Sequence, residues 1–267
     1  MFHLPGRNTL NLTEIRSDHG PAVLLLHDYG LNREIWSETT QHLNKGVRIV
    51  MPDLRGHGGS DAPDGDWSMR DIVYDVADML FALGLKDTLV VGMGIGGLIA
   101  QALAAEFPQS VRAMVLIGTA AKLETEERWL TRAHALSTLP DAERAQALLH
   151  SATRKSADTH LRDIAQSTPA QTVRRMCQAV AHTDLRISTD ALRLPTMGLV
   201  GRDDRITPPD LMREMTEGIP GAQLQLIPRC GHLTPYDAPE MTAQAINRFI
   251  EQTGHLLPDP DCENPTI

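Results

Sequence analysis

Short apolar runs of strand length alternate along most of this chain with longer segments whose apolar residues recur at helical spacing. The runs cover residues 22–26, 47–51, 88–91 and 111–117, and strand signals resume at residues 196–200 and 223–227. Apolar runs of this kind are typical of parallel strands that are buried on both faces of a sheet. The alternation therefore predicts an α/β fold with a mostly parallel central sheet and helices on both faces.

The strand signals disappear in residues 122–190, where Arg, Ala, Leu and Gln dominate with helical spacing. We predict a helical cap there, inserted into a core domain formed by residues 1–121 and 191–255. Residues 9–15 alternate apolar and polar side chains and predict an edge strand. Residues 256–267 are rich in Pro and Asp, and we expect them to form a loosely attached tail. A chain of 267 residues with 42% hydrophobic content can fill one continuous core.

Composition excludes several classes of partner. The 34 acidic and 25 basic residues give a net charge of −9, which disfavours binding to nucleic acid or anionic lipid. Residues 1–15 mix polar residues into every apolar stretch and no apolar run of about 18 residues occurs, so we expect neither a signal peptide nor a membrane span. Three widely spaced cysteines predict a reduced cytoplasmic protein. The eleven histidines form no metal-binding pattern. We therefore expect no cofactor and no metal, and a small-molecule substrate; the oligomeric state is not specified.

Three short segments lie at the ends of predicted strands, where open α/β sheets bind their ligands. They are Gly-Met-Gly-Ile-Gly-Gly at 92–97, Gly-Arg-Asp-Asp at 201–204 and Cys-Gly-His at 230–232. The first has the form of a nucleophile elbow, a tight strand-to-helix turn written G-x-S-x-G, except that Gly94 stands where the serine belongs. An acid and then a histidine follow the elbow, which is the chain order of α/β-hydrolases.

From about residue 24 to 250 the chain resembles the α/β-hydrolases. Residues 26–30 (LHDYG) are similar to the H-G-x-G oxyanion loop, and residues 53–60 (DLRGHGGS) are similar to the D-x-R-G-x-G-x-S loop. Within the superfamily the chain most resembles the 3-oxoadipate enol-lactonase branch. That resemblance depends on GTAAK at 118–122, WLTR at 129–132 and TDLR at 183–186. It implies an α/β-hydrolase fold with a helical cap.

The resemblance assigns the catalytic roles. It makes His232 the general base and Asp204 the acid that orients it, with Asp203 as the competing acid. Asp204 is preferred because the acid of the family follows its glycine by three residues, and Gly201 sets that count. Taken alone, a histidine or a pair of aspartates would more often be structural. Their joint spacing to the elbow at Gly94 favours the catalytic interpretation.

The backbone N–H groups of Tyr29 and Ile95 form the oxyanion hole in this resemblance. Two residues depart from the family pattern. Gly94 has no side chain, so serine attack and an acyl-enzyme cannot occur there, and His232 would instead activate a water. Asp28 replaces the usual glycine of the oxyanion loop, where its charge would disfavour a developing oxyanion unless its side chain points away.

Trp129 and Arg132 stand where the lactonases shape their pocket, and a guanidinium is suited to a substrate carboxylate. At helical spacing such a pair also commonly covers the core and its rim. His27 is expected to close the oxyanion loop through backbone hydrogen bonds. Cys230 adjoins the histidine loop, but a residue on the same loop rarely meets the imidazole in line, so it is interpreted as structural.

The leading hypothesis is a cofactor-free hydrolase of small carboxylic esters or lactones, whose substrate is acidic and whose activity is reduced or water-based. A second hypothesis is a non-catalytic protein that binds a small acid on the same scaffold. A third is a serine hydrolase inactivated by a Ser-to-Gly substitution at position 94. Residues 92–97 also fit G-x-G-x-x-G, but they follow a middle strand and no ribose-binding acid follows them, so nucleotide binding ranks below these three.

Overall fold

A computed structural model describes residues 9–15 and 20–255. Within them, seven strands form one sheet in the order β1-β3-β2-β4-β5-β6-β7. The strands are β1 (Leu12–Ile15), β2 (Ala22–Leu26), β3 (Arg48–Pro52), β4 (Thr88–Met93), β5 (Val111–Ile117), β6 (Thr196–Gly201) and β7 (Gln223–Ile227). All pairs are parallel except β1 with β3. The predicted α/β class with a mostly parallel sheet is confirmed.

Helices separate the strands along the chain. In the core they are α1 (Ser37–Gln41), α2 (Met69–Ala82), α3 (Ile95–Glu106), α9 (Pro209–Gly218), α10 (Thr234–Asp237) and α11 (Pro239–Gln252), with a short 3₁₀ helix at Arg33–Trp36. Between β5 and β6 lie α4 (Glu126–Thr138), α5 (Asp141–Leu149), α6 (Thr159–Ser167), α7 (Ala170–Ala181) and α8 (Arg186–Asp190). These helices occupy the segment that we predict to be the cap. The predicted tail at 256–267 lies outside the described residues.

Strands β2, β4 and β6 are buried along their whole length, because both faces of the sheet are covered there. In β2, Leu24 and Leu26 belong to one core cluster, whereas Val23 and Leu25 belong to a second cluster on the opposite face. All four side chains are fully buried. Successive side chains of a strand point to opposite faces, so an unbroken apolar run can fill two cores at once. In the part of the chain that the structure describes, no helix is long and apolar enough to cross a membrane.

Candidate active site

Four loops meet at the carboxyl edge of the sheet. They follow β2, β4, β6 and β7, and they carry Asp28, Gly94, Asp204 and His232 in that order. Parallel strands end at the same edge, so residues far apart in sequence are brought together there. Gly94, Asp28 and His232 line one pocket, and Asp204 supports His232 from behind.

Asp204 is the carboxylate that contacts the imidazole. Its Oδ2 lies 2.9 Å from Nδ1 of His232, and its Oδ1 accepts hydrogen bonds from the backbone N–H groups of Ile206 (2.8 Å) and Thr207 (2.9 Å). Both Asp204 and His232 are buried. Asp203, the competing acid, is instead half-buried at the surface and pairs with Arg154 at 3.3 Å. Neighbouring residues of one turn point in different directions, so only one of the two carboxylates reaches the site.

The turn from β4 into α3 requires glycine on either side of position 94. A Cβ on Gly92 would lie 2.2 Å from the carbonyl oxygen of Gly96, and a Cβ on Gly96 would lie 2.5 Å from that of Leu26. Gly94 itself has φ +54° and ψ −116°, in the region that glycine adopts most easily. These close backbone contacts give the turn the tight geometry of a nucleophile elbow.

Asp28 fills the oxyanion hole that the sequence predicts. Its Oδ1 accepts hydrogen bonds from the backbone N–H groups of Tyr29 and Ile95, both at 2.8 Å. Its Oδ2 lies 3.2 Å from Nε2 of His232. The side chain therefore points into the site, where two N–H dipoles and an imidazole stabilise its charge. The sequence led us to expect an unfavourable carboxylate here, because its charge would repel a substrate oxyanion. The structure instead pairs the carboxylate with two N–H groups and the imidazole of His232.

The carboxylate of Asp28 occupies the space that a side chain at position 94 would need. A Cβ built on Gly94 would lie 2.2 Å from Cγ of Asp28 and 2.3 Å from its Oδ1. Contacts between unbonded carbons lie near 3.5–4.0 Å at their optimum, so these two positions are mutually exclusive. Sequence reasoning noted the aspartate only as a departure from glycine and did not identify it as a member of the site.

His232 lies between two carboxylates. Burial would lower its pKa, but the charges and hydrogen bonds of Asp204 and Asp28 outweigh this effect and raise the pKa to about 10. The ring is therefore an imidazolium at neutral pH, and it donates a hydrogen bond to each carboxylate. A protonated ring is a proton donor, so the resting site does not present the free imidazole base of an ordinary triad.

Asp237 ties the histidine loop to the segment between α5 and α6. Its Oδ2 accepts hydrogen bonds from the N–H groups of Gly231 (2.7 Å) and Arg154 (2.8 Å), while its Oδ1 accepts from Thr153 and Lys155. A carboxylate that accepts several backbone N–H groups fixes the loops that supply them. The position of His232 is therefore linked to the position of residues 153–155.

A pair of buried histidines holds the loop that follows β2. Nε2 of His27 accepts from the N–H of Leu54 at 2.9 Å, and Nε2 of His57 accepts from the N–H of Gly30 at 3.0 Å. The Nδ1 atoms lie 2.7 Å from the carbonyl of Asp28 and 3.0 Å from that of Arg55. Each ring thus donates from one nitrogen and accepts at the other, so each must be neutral. Burial lowers the pKa of His27 to about 4 and that of His57 to about 3.

We expect this pair to make the fold sensitive to acid. Because the folded pKa of each ring lies below the unfolded value of 6.5, the unfolded chain binds these protons first. The neutral rings stabilise the fold fully above pH 6.5, and this stabilisation is lost as the pH falls towards about 4. Each histidine contributes about 1.4 kcal/mol per pH unit across this window. In urea unfolding between pH 6.5 and about 5, His57→Gln should show a shallower loss of stability than the wild type. Equal slopes would contradict this assignment.

The pocket is a small cavity of about 30 Å³, which is space for a water molecule, so a larger ligand has to move the side chains that line it. Trp129 and Arg132 line it as predicted from the sequence, together with Tyr29, Leu123, Glu124, Ile95, Ile206 and Thr207. Arg132 is paired with Glu124 at 2.9 Å and stacks on the ring of Trp129 at 4.4 Å. Its charge is thus already balanced, and a role in binding a substrate carboxylate remains a prediction. The indole N–H of Trp129 is buried without a hydrogen-bond partner in the described residues.

Two other kinds of reactive site would be the thiol of Cys230 and a cluster of metal ligands. Burial raises the pKa of Cys230 to about 12, so this side chain is a thiol at neutral pH. Residues 9–15 and 20–255 contain no group of three or more His, Cys, Asp or Glu side chains placed to hold a metal ion. At neutral pH the Cys230 thiol is therefore not a rival to Asp28 and His232 as a reactive group.

Comparisons with known proteins agree with this architecture. Residues 21–239 match the family model described as alpha/beta hydrolase fold. The chain is 26% identical over 250 residues to 3-oxoadipate enol-lactonase 1 of Acinetobacter baylyi, covering 91% of this chain and 93% of that protein. A thermophilic esterase from Thermogutta terrifontis has a TM-score of 0.84 at 27% identity, covering 94% and 96% of the two chains. The enol-lactonase from Burkholderia xenovorans LB400 has a TM-score of 0.86 at 24% identity, covering 91% and 97%.

Proposed function

Since this chain belongs to the α/β-hydrolase fold family, we propose that it hydrolyses small carboxylic esters or lactones with water, and not a serine, as the attacking group. The observation that carries the proposal is the line of Asp204, His232 and Asp28 at the base of the pocket, beside the bare backbone of Gly94. These groups can accept a proton, donate a proton and bind an oxyanion without any side chain at position 94.

The reaction begins when the substrate carbonyl oxygen replaces Oδ1 of Asp28 at the N–H groups of Tyr29 and Ile95. A carboxylate that loses two hydrogen bonds to its charged form becomes more basic. Asp28 then accepts a proton from the attacking water, and the two N–H groups stabilise the tetrahedral oxyanion. The His232 imidazolium gives its proton to the departing alkoxide, and the proton on Asp28 returns to His232. Ester and water are converted to acid and alcohol.

The named relatives support this substrate class. The similarity to an enol-lactonase and to an esterase extends over more than nine-tenths of this chain. An enol-lactonase and an esterase both cleave an acyl–oxygen bond, and both reactions need an oxyanion site and an acid for the leaving oxygen. The pocket of this chain has groups suited to both needs, namely the N–H groups of Tyr29 and Ile95 and the imidazole of His232.

The third hypothesis, a serine enzyme inactivated by one substitution, is disfavoured by Asp28. The Cβ of a serine at position 94 would overlap Cγ of Asp28, so a serine cannot be present while Asp28 keeps its observed position. An ancestor with serine would therefore have needed a different residue or a different side-chain direction at position 28. We infer that the two positions changed together during natural divergence.

The test is hydrolysis of p-nitrophenyl butyrate and of a small enol-lactone by the purified chain. His232→Gln and Asp28→Asn should each reduce kcat/KM by about 10²-fold or more, because general acid–base groups contribute about 10²–10⁴-fold. Asp203→Asn is the matched control and should leave the rate unchanged, since that carboxylate lies outside the site. Equal rates for the wild type and both site variants would rule out the mechanism.

The filled oxyanion hole also favours a second candidate, a non-catalytic protein that binds a small molecule in the same pocket. This candidate predicts a ligand-dependent rise in Tm with no turnover. Thermal shift measurements with the same ester, the enol-lactone and their acid products distinguish the two. Stabilisation by these compounds, with no hydrolysis above the uncatalysed rate, would favour binding.

A further inference from the structure

Asp28 stands where the missing nucleophile would stand, although it comes from a different loop. The overlap with a Cβ at position 94 places its carboxyl group directly over the elbow. Its Oδ1 is held by both N–H groups of the hole, whereas Oδ2 contacts only His232 among the described hydrogen-bonding groups. A carboxylate oxygen has two lone pairs, so Oδ2 keeps one that is not engaged.

We propose that Asp28 is a covalent nucleophile, and that the chain carries a further activity in which Oδ2 of Asp28 displaces a leaving group from a saturated carbon. Carboxylates form covalent intermediates in this way in other enzymes. Asp28 is also fixed in one direction by three hydrogen bonds, so little freedom is lost when it attacks. This activity is separate from ester hydrolysis and uses Asp28 in the position that the structure gives it.

The filled hole selects saturated carbon over acyl carbon for this attack. If Oδ2 of Asp28 itself attacked an ester carbonyl, an oxyanion would form on the substrate while the two N–H groups that could stabilise it were still engaged by Oδ1 of the same carboxylate. Displacement of a halide from a saturated carbon creates no such oxyanion, because the negative charge departs with the halide, and the alkoxide of an opened epoxide takes the proton of the His232 imidazolium. The first step is therefore bond formation between Oδ2 and the carbon, with loss of a halide ion or opening of an epoxide.

The same hole then serves the second step. The product of attack is an ester of Asp28 whose carbonyl oxygen, Oδ1, still lies against the N–H groups of Tyr29 and Ile95. Conversion of Asp28 from an anion to an ester removes one of the two charges that favour protonated His232, so the ring gives up its proton, to solvent after loss of a halide or to the alkoxide of an opened epoxide.

Neutral His232 then takes a proton from a water that attacks Cγ of Asp28, and the hole stabilises the oxyanion on Oδ1. When the ester bond breaks, His232 protonates the departing alcohol. The newly formed carboxylic acid returns its proton to His232, which restores the starting ion pair. For an alkyl bromide the sum is alkyl bromide plus water to alcohol, bromide and a proton.

The pocket favours a neutral, short substrate. Of its charged groups, His232 is balanced by two carboxylates and Arg132 by Glu124, so the set carries an excess of negative charge. The remaining wall is largely apolar, with Leu123, Ile95, Ile206 and Trp129. Trp129 lines this wall, and its buried indole N–H has no hydrogen-bond partner among the described residues.

The experiment uses 1-bromobutane and 1,2-epoxybutane as probes and the full chain in H₂¹⁸O. In a single turnover with excess enzyme, ¹⁸O should enter the carboxyl group of Asp28, and the alcohol formed at the attacked carbon should carry the enzyme's ¹⁶O. His232→Gln keeps the nucleophile but cannot activate water, so an alkyl adduct on the peptide containing Asp28 should accumulate. Asp28→Asn should form no adduct, and Asp203→Asn should behave as the wild type.

Two results would overturn the proposal. One is ¹⁸O in the first product with none in Asp28, which would mean that water attacks the substrate directly. The other is no adduct and no product with either probe. Both results are independent of the ester assay, because a chain that hydrolyses p-nitrophenyl butyrate but never becomes labelled would keep the proposed function and lose this inference. A chain whose Asp28 is labelled but that does not hydrolyse esters would keep this inference and lose the proposed function.

Discussion

The double variant Asp28→Gly/Gly94→Ser should hydrolyse p-nitrophenyl butyrate about 10²-fold faster than Gly94→Ser alone. In the single variant, the new Cβ would lie 2.2 Å from Cγ of Asp28, so the serine displaces the carboxylate or distorts the turn. In the double variant, the N–H groups of Tyr29 and Ile95 become available to a substrate oxyanion. One donor of this kind is worth about 10²–10³-fold in kcat. His232 and Asp204 are already at hydrogen-bonding distance.

The single variant Asp28→Gly is the matched control for the double variant. It opens the same hole without adding a nucleophile, so it should remain well below the double variant. Thermal unfolding of all three proteins would exclude misfolding as the cause of a low rate. If Gly94→Ser alone were as active as the double variant, Asp28 would have to leave the hole at no cost, and the importance of its position would be refuted.

Asp204→Asn should destabilise the fold by about 3 kcal/mol or more, because removing one partner of a buried ion pair costs about 3–5 kcal/mol. The variant also disturbs the acceptor of the Ile206 and Thr207 N–H groups. Asp203→Asn, one residue away, should change stability by less than about 0.5 kcal/mol, since exposed ion pairs contribute little. Urea unfolding of the two variants at neutral pH gives the comparison. Similar losses in both would contradict the buried pairing.

The pH dependence of the Asp204→Asn effect has a defined sign. The folded pKa of His232, about 10, lies above the unfolded value of 6.5, so the ion pair stabilises the fold fully below 6.5 and loses this contribution as the pH rises through about 10. The difference between wild type and variant should therefore be largest near pH 6.5 and shrink towards pH 10. NMR titration of the ring should show a lower pKa in the variant, because Asp204 contributes the largest charge effect that raises it.

The fold was predictable because its signal is local. An apolar run such as residues 22–26 is by itself enough to predict a strand that is buried on both faces. The glycines at 92–97 are likewise enough to predict a tight turn. The choice of Asp204 over Asp203 followed from the family resemblance, in which the acid comes three residues after its glycine, and the structure places Asp204 against the imidazole. Features encoded within a few residues of one another were thus accessible to sequence reasoning.

The direction of the Asp28 side chain was not predictable, because its partners are remote. Ile95, whose N–H binds Asp28, is 67 positions away from it in the sequence, and His232 is 204 positions away. His232 is protonated because both carboxylates raise its pKa, and no motif around position 232 indicates that two carboxylates lie beside the ring. The pairing of Arg132 with Glu124 was missed for a simpler reason: the family pattern drew attention to the guanidinium and not to its neighbour.

The elbow is held together without help from the residue at its tip. Gly94 is bound through its backbone alone: its N–H donates to the carbonyl of Ile117 at 2.9 Å, and its carbonyl accepts from the Thr119 hydroxyl at 2.7 Å and the N–H of Gly97 at 3.1 Å. The framework and the reactive group are consequently separable parts. Such a scaffold tolerates relocation of its chemistry from one loop to a neighbour, since the loss of a side chain at the tip leaves every supporting bond in place.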